Sequence, residues 1–141
     1  MPVSITYFCP TKSTGREQVK RVIRLVVTEN NFEVFTRWGD FEKHLRTHAP
    51  ARHIVVFHVG SKKHLQQIAA LQNLLMDHKI VLILPDAKPE TIELAHTVRP
   101  RFITYADSDF LDMASVLRRM LLTCPAETDT AAQTSWTLKE G

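Results

Sequence analysis

Cys9 is the residue of this sequence best placed for nucleophilic chemistry. It ends a stretch rich in β-forming residues, SITYFC, and the residues that follow, PTKSTGR, lead into a predicted helix. A thiol beside a helix N-terminus has a lowered pKa and lies near backbone N–H groups that suit an anion. Cys9 and Arg16 therefore form a candidate catalytic pair. The competing interpretation, which we favour, is a structural cysteine half-buried at a strand end.

The loop after Cys9 is similar to two loops that bind phosphoryl groups. ITYFCPTKSTGR resembles the phosphocysteine loop of sugar-phosphotransferase IIB components, which places Ser or Thr a few residues after the Cys. It also resembles the Cys-x5-Arg loop of tyrosine phosphatases, although six residues separate Cys9 from Arg16 and no Asp acid is evident. Pro10 and Lys12 stand where a phosphatase usually has Gly. These resemblances imply an alternative function as a phosphoryl carrier or a phosphatase.

Seven histidines raise the question of a metal site. His44 and His48 are four residues apart on a predicted helix, but no HExxH motif and no third ligand accompany them, so we predict surface histidines. His58 ends a predicted strand, where we expect a buried imidazole bonded to the backbone. A pH-sensitive or phosphorylatable group is the alternative there. We expect no metal and no cofactor.

The charge distribution is mild. The chain has 141 residues and a formal net charge of +3, which permits an acidic partner without requiring nucleic acid. Arg16, Lys20 and Arg24 recur every four residues on the first predicted helix, but Glu17 can pair with Arg21, so a solvated face is favoured over a nucleic-acid site. The sequence contains no Walker loop and no dinucleotide-binding glycine pattern.

Cysteine usage and hydropathy bear on the location of the protein. Cys9 and Cys124 are far apart and form no metal pattern, which favours two reduced thiols in a cytoplasmic protein. The N-terminus has neither the basic region nor the long apolar run of a signal peptide, and no apolar run approaches the length of a membrane span. We therefore expect a soluble cytoplasmic protein without a membrane partner.

Strands and helices alternate through about the first 124 residues. Ile80–Leu84 is a continuous apolar run, typical of a strand covered on both faces, whereas FEVFT alternates and predicts an edge strand. The predicted strands are Ser4–Cys9, Phe32–Thr36, His53–Val59, Ile80–Leu84 and Phe102–Tyr105. The predicted helices cover Arg16–Glu29, Gly39–His48, Lys62–His78 after a Ser61 cap, Pro89 to about Arg99 before Pro100, and a final helix capped by Asp107 or Ser108.

Five strands alternating with five helices predict an α/β fold with helices on both faces of a parallel sheet. Right-handed crossovers favour the flavodoxin-like strand order 2-1-3-4-5. In such folds the chemistry gathers at the carboxyl ends of the strands, which here are Cys9-Pro10, His58 to Ser61, Pro85-Asp86 and Tyr105 to Asp107.

This order of elements resembles the receiver domain of two-component response regulators over residues 3–123. The likeness is best in FITYADSDFLDMASVLRRML, similar to a receiver's last strand and helix, and in ETIELAHTVRPRF before it. A working receiver holds Mg²⁺ with acids after its first strand, phosphorylates an Asp after its third, and uses a hydroxyl and a Lys after the last two. Those positions fall here on residues unable to do this chemistry: Phe8, Cys9, His58, Pro85 and Tyr105. The resemblance implies a degenerate receiver that keeps the scaffold without the phosphorylation switch.

In receivers the face formed by the fourth helix, fifth strand and fifth helix is the usual partner surface. Its counterpart spans about Glu90–Arg99, Arg101–Tyr105 and Asp109–Arg119, and the resemblance implies a homodimer or protein partner there, with a bare solvated face as the alternative. Opposite charges could make a twofold contact self-complementary. The charged residues of this surface are Glu93, Arg99, Arg101, Asp109, Asp112, Arg118 and Arg119.

From Pro125 the composition changes to small polar residues, which predicts a domain over 1–124 and a linker or disordered tail over 125–141. The closing SWTLKEG resembles the opening strand of a winged-helix effector domain, with a random tail as the alternative. If the resemblance holds, the chain is the regulatory part of a bacterial response regulator or transcription factor, and DNA contacts would come only from an effector domain after Gly141.

Overall fold

A computed structural model describes residues 4–10, 15–47, 53–76 and 78–123 of the chain. The predictions about the loop 11–14, His48, Cys124 and the tail 125–141 fall outside these ranges. Five strands form one fully parallel sheet of order β2-β1-β3-β4-β5, which confirms the predicted flavodoxin-like topology and the edge position of β2. The strands are β1 (Ser4–Phe8), β2 (Phe32–Phe35), β3 (His53–His58), β4 (Lys79–Leu84) and β5 (Phe102–Tyr105).

Six α-helices lie in the described ranges where the sequence predicts five. The third predicted helix is interrupted at Leu71, whose N–H bonds to the carbonyl of Ile68 three residues back and whose ψ of 12° departs from the helical value. The predicted Ser61 cap is confirmed, since its Oγ accepts from the N–H of His64 at 3.4 Å. The helices are α1 (Gly15–Arg24), α2 (Trp38–Thr47), α3 (Lys62–Ala70), α4 (Gln72–Leu75), α5 (Pro89–His96) and α6 (Leu111–Thr123).

The sheet separates two apolar cores. On one face α1 and α6 bury a cluster that includes Val19, Ile23, Met113 and Leu117. On the other face α2, α3, α4 and α5 bury a second cluster around Phe57. Every residue of β3 is buried because helices cover both of its faces, as its continuous apolar pattern predicts.

α1 ends earlier than the sequence predicts. The sequence predicts a helix to Glu29 whose apolar stripe of Val19, Val22, Ile23 and Val26 is widened by Leu25, whereas α1 ends at Arg24. The N–H groups of Leu25 and Val26 bond three residues back, to the carbonyls of Val22 and Ile23, which tightens the chain and turns it out of the helical path. As a result Leu25 is 66% exposed instead of buried.

The start of α6 contains a left-handed residue. Phe110 has a φ of 65° and a fully buried ring, an uncommon backbone state for an aromatic residue. Its N–H donates to Ser108 Oγ at 2.9 Å, and the next N–H, from Leu111, donates to Asp109 Oδ1 at 3.0 Å. The predicted cap by Asp107 or Ser108 is therefore wrong in position: Phe110 occupies the capping position, Ser108 accepts from the N–H before the helix, and Asp109 accepts from the first helical N–H. Within the described ranges, no helix combines the length and apolar character that a bilayer crossing requires.

Candidate functional site

The carboxyl ends of the five parallel strands lie at one edge of the sheet, which we call the carboxyl edge. Phe8 pairs in register with Phe57, so the residues after them, Cys9 and His58, lie side by side at this edge. On the other side Leu84 pairs with Tyr105. The register therefore brings together the positions that the receiver resemblance identifies as the phosphorylation site.

His58 forms a buried hydrogen bond with Tyr7. Its Nδ1 lies 2.6 Å from the Tyr7 hydroxyl, and the exposed fractions are 4% for His58 and 0% for Tyr7. Burial, followed by the positive charge of Arg16, lowers the pKa of His58 to about 4. Burial, followed by the nearby Cys9, raises the pKa of Tyr7 well above its usual value. Both groups are neutral near pH 7, so the Tyr7 hydroxyl donates and His58 Nδ1 accepts.

The predicted burial of His58 is thus confirmed, while its partner is a side chain and not the backbone. Tyr7 was not among the candidate site residues. The signal that could have found it is the strand period of two, because Tyr7 and Cys9 must point to the same face of the sheet.

Cys9 is fully buried, so its thiol is not accessible to a substrate in this conformation. Its N–H donates to the carbonyl of Phe35 at 3.0 Å, and its own carbonyl accepts from Arg16 Nη2 at 3.2 Å. The structure therefore brings the proposed catalytic pair together through the Cys9 backbone. Arg16 approaches a carbonyl oxygen here, whereas a phosphatase arginine would face a bound anion.

Phe8 lies on the opposite face of the sheet from Tyr7 and Cys9, inside an aromatic cluster. Its ring stacks on Phe41 with centroids 4.4 Å apart and planes 4° apart, and it contacts Trp38 and Phe57 edge-on. The acidic position implied by the receiver resemblance is therefore filled by core packing. In the described residues, no group of three or more His, Cys, Asp or Glu side chains could hold a metal ion.

Pro85 and Tyr105 line a surface cavity of about 440 Å³ between the loops after β4 and β5. Asp86 and Asp107 contribute carboxyl groups to its wall. Hydrogen bonds to its carboxylate, first from the backbone N–H of Lys88 at 3.0 Å, lower the pKa of Asp86. Pro85 and Tyr105 thus adjoin an open depression, while Phe8, Cys9 and His58 are buried.

The predicted partner surface is formed by α5, β5 and α6. All seven of its predicted charged residues are exposed. The helical parts are shorter than expected, because α5 ends at His96 and α6 begins at Leu111. Arg99, which follows α5, has a left-handed backbone conformation with a φ of 55°. Asp109 and Asp112 also form hydrogen bonds within the domain. Asp109 Oδ1 accepts from Leu111 N–H, and Asp112 Oδ2 accepts from Thr104 Oγ1 at 3.4 Å.

Comparisons with known proteins bear on the fold. No family model matches the chain, and no curated protein matches it. A crystal structure of a pilus assembly-related protein from Burkholderia pseudomallei is similar, with a TM-score of 0.61 and 14% identity over 90% of this chain and 95% of that one. A CheY-like protein (tadZ) from Pseudomonas aeruginosa gives 0.57 and 12%, over 83% of this chain and 99% of that one. The chain has a receiver-like fold.

The cationic side chains of the basic stripe predicted on the first helix contact other groups of the same domain. Lys20 Nζ forms an ion pair with Glu17 at 3.0 Å, and Arg16 binds the Cys9 carbonyl. The Arg24 guanidinium lies 5.7 Å from the centre of the Phe32 ring. Each of these cations has a partner within the chain, which weakens the nucleic-acid interpretation of the stripe.

The prediction that His44 lies on the surface is wrong. His44 is 7% exposed and belongs to a buried cluster at the opposite edge of the sheet. Thr6 Oγ1 lies 2.8 Å from His44 Nε2 and 2.5 Å from His53 Nε2, and these two nitrogens are 3.2 Å apart. His78 packs against the His53 ring with centroids 5.2 Å apart. The cluster forms because β1, α2 and β3 converge there, which no local sequence spacing reveals.

Proposed function

We propose that this chain is a receiver-like signalling domain that works through protein contacts, without phosphorylation of its carboxyl edge. The observation that carries the proposal is the neutral, buried pair of Tyr7 and His58 at the position of the phosphoacceptor. Phosphorylation of a receiver needs an exposed carboxylate beside a hard cation held by oxygen ligands. An aromatic ring, a buried thiol and a neutral imidazole supply neither.

The protein contact that we propose is a twofold homodimer through α5, β5 and α6. Because α5 and α6 both run antiparallel to β5, the acidic residues Glu93, Asp109 and Asp112 lie nearer the carboxyl edge than Arg118 and Arg119 do. A twofold axis across this face would set the acidic end of one copy against the arginines of the other. A stable dimer of this kind buries roughly 1,200–2,000 Å² in total.

The signalling output belongs to the same proposal. The likeness of SWTLKEG to a winged-helix strand supports a role in transcription, with DNA contacts made by an effector domain after Gly141. That support rests on residues outside the described ranges, so it is independent of the Tyr7–His58 pair and of the face formed by α5, β5 and α6.

Intact-mass spectrometry tests the absence of phosphorylation. The protein is incubated with Mg²⁺ and either acetyl phosphate or phosphoramidate, and its mass is expected to stay unchanged. A single added phosphoryl group would overturn the proposal. Repeating the incubation with Cys9→Ser and His58→Gln would then identify the acceptor, and loss of the adduct in Cys9→Ser would establish the phosphoryl-carrier alternative.

A charge swap tests the dimer. Glu93→Arg and Arg118→Glu should each weaken self-association about tenfold or more, because each places like charges across the twofold contact. The double variant should recover much of the loss if these residues face each other. Sedimentation velocity measures the association, and Lys43→Glu at an exposed position of α2 is the matched control. A monomer at all concentrations, or equal effects of the control, would refute the dimer.

A further inference from the structure

We call the edge of the sheet where the strands begin and the helices end the basal edge. Cationic and exposed apolar side chains occur together there. In a fully parallel sheet each returning helix ends beside the start of the next strand. The last residues of α1, α4, α5 and α6 therefore lie at the basal edge together with the first residues of β4 and β5.

Cations gather at this edge. The register places Val81 opposite Phe102, and the N–H of Arg101 donates to the carbonyl of Ile80 at 2.7 Å, so the start of β4 and the entry to β5 are neighbours. Acidic residues lie in the first turns of α1, α2, α5 and α6, at the carboxyl edge, whereas the basal edge carries Glu29 after α1 and Glu33 at the start of β2. The basal cations within the described ranges include Arg21, Lys79, Arg99 and Arg101.

Large apolar side chains are exposed at the same edge. Leu25 directly after α1 is 66% exposed, Met76 directly after α4 is 66% exposed, and Leu122 near the end of α6 is 81% exposed. They account for three of the five large apolar residues found exposed in the described part of the chain. Leaving such side chains in water costs free energy, and here each stands near a cation in the sequence or in space.

A groove shows this combination directly. It has a volume of about 290 Å³ and is lined by Gln72, Asn73, Met76, Thr97, Val98 and Arg99. An apolar thioether and a guanidinium thus share one concave surface. A surface that offers cations beside exposed apolar chains suits the headgroup region of an anionic bilayer, where phosphates and acyl chains lie within a few ångströms of each other.

We propose that the basal edge is a docking surface for anionic lipid membranes. The cations attract the negatively charged headgroups, and Leu25, Met76 and Leu122 enter the interface between headgroups and acyl chains. Nucleic acid would bind to the cations through its phosphates, but the exposed aliphatic side chains would contribute nothing to that binding. The sequence alone led us to expect no membrane partner, since it contains no membrane span. The lack of a span, however, does not bear on docking of the folded domain onto a membrane surface.

Vesicle flotation tests the proposal on the full chain. The protein should bind phosphatidylcholine vesicles that contain phosphatidylglycerol, and should not bind phosphatidylcholine alone. Arg21→Gln should lower binding about fivefold, the factor expected for one cation at an anionic surface. Leu25→Ser should lower it about tenfold through the lost apolar insertion. High salt should reduce binding without abolishing the effect of Leu25→Ser.

Matched controls lie at the carboxyl edge. Arg37→Gln removes an exposed cation there, and Leu111→Ser removes an apolar side chain that is 58% exposed at the opposite end of α6 from Leu122. Neither should alter binding. Lys79→Gln with Met76→Ser provides a second basal pair if the α1 variants are less stable. None of the substituted residues belongs to the charged set of the proposed dimer surface, and Arg99 and Arg101, which belong to both surfaces, stay unchanged, so the dimer can fail without affecting this test.

Two outcomes would overturn the proposal. The first is binding that falls equally in the basal and control variants, or that does not need phosphatidylglycerol. The second is tight binding of an oligonucleotide that depends on Arg21 and is indifferent to Leu25→Ser, together with no flotation. That result would assign the basal cations to nucleic acid.

Discussion

The hydroxyl of Tyr7 lies 2.6 Å from Nδ1 of His58, in the interior of the domain and at the strand end where a receiver would be phosphorylated. The two residues are 51 positions apart, on β1 and β3, and are joined by the parallel register of those strands. Each needs the other, because a buried hydroxyl or imidazole without a partner costs free energy. The pair therefore makes the end of β3 part of the core.

We predict that His58 makes the domain less stable in mild acid. Its folded pKa of about 4 is lower than the ordinary value of 6.5, so the unfolded state binds the proton more tightly. The contribution of neutral His58 is present above about pH 6.5 and is lost as the pH falls towards 4, by at most about 3 kcal/mol. Urea unfolding over this range should show a weaker pH dependence for His58→Gln than for the wild type. Identical pH dependence would contradict the assignment.

We predict that an acid cannot be restored at Phe8. Phe8→Asp removes a stacked ring and buries a carboxylate, so it should cost roughly 4 kcal/mol or more and leave the protein largely unfolded. Phe8→Leu, which stays apolar, should cost about half as much. Thermal unfolding measures both. A folded Phe8→Asp protein with an unchanged midpoint would show that the aromatic cluster is not required.

We predict that the Thr6 hydroxyl stabilises the histidine cluster. Thr6→Val keeps the shape of the side chain but removes the group shared by His44 and His53, so it should cost about 1–3 kcal/mol. Thr36→Val, at an exposed position, should change stability by less than about 0.5 kcal/mol. Urea denaturation distinguishes the two variants. Equal stabilities would mean that the histidines satisfy each other without Thr6.

We predict that Cys9 reacts with thiol reagents only when the domain opens. In a Cys124→Ser variant Cys9 is the remaining cysteine, and its buried thiol should be modified slowly without denaturant. The rate should rise with urea in parallel with the unfolded fraction. Rapid, complete modification of the native protein would contradict this and would strengthen the phosphoryl-carrier alternative.

Much of the fold follows from local sequence. Continuous apolar runs such as Ile80–Leu84 predict buried central strands, and the alternation in β2 predicts an edge, because both patterns reflect how many faces of a strand are covered. The prolines at 85, 89 and 100 mark element boundaries for similarly local reasons. These signals sufficed to predict the parallel sheet and its strand order.

The same local signals were less reliable at helix ends. The apolar period continues past Arg24, yet α1 ends there. It also continues past Leu71, yet the third predicted helix is interrupted at that residue. Periodicity records which residues could be buried on a helix, whereas the packing of the whole domain decides where the chain must turn.

Residue types at the strand ends, compared with the receiver pattern, predicted that the receiver's acids, hydroxyl and lysine are replaced, and that correspondence stays a prediction. Only the tertiary structure decided what the replacements do. It paired Tyr7 with His58 and buried His44 beside His53, because these contacts depend on register between strands and on a helix crossing them. The gathering of cations and exposed aliphatic chains at the basal edge has the same origin, since a parallel sheet brings together helix ends that are distant in sequence.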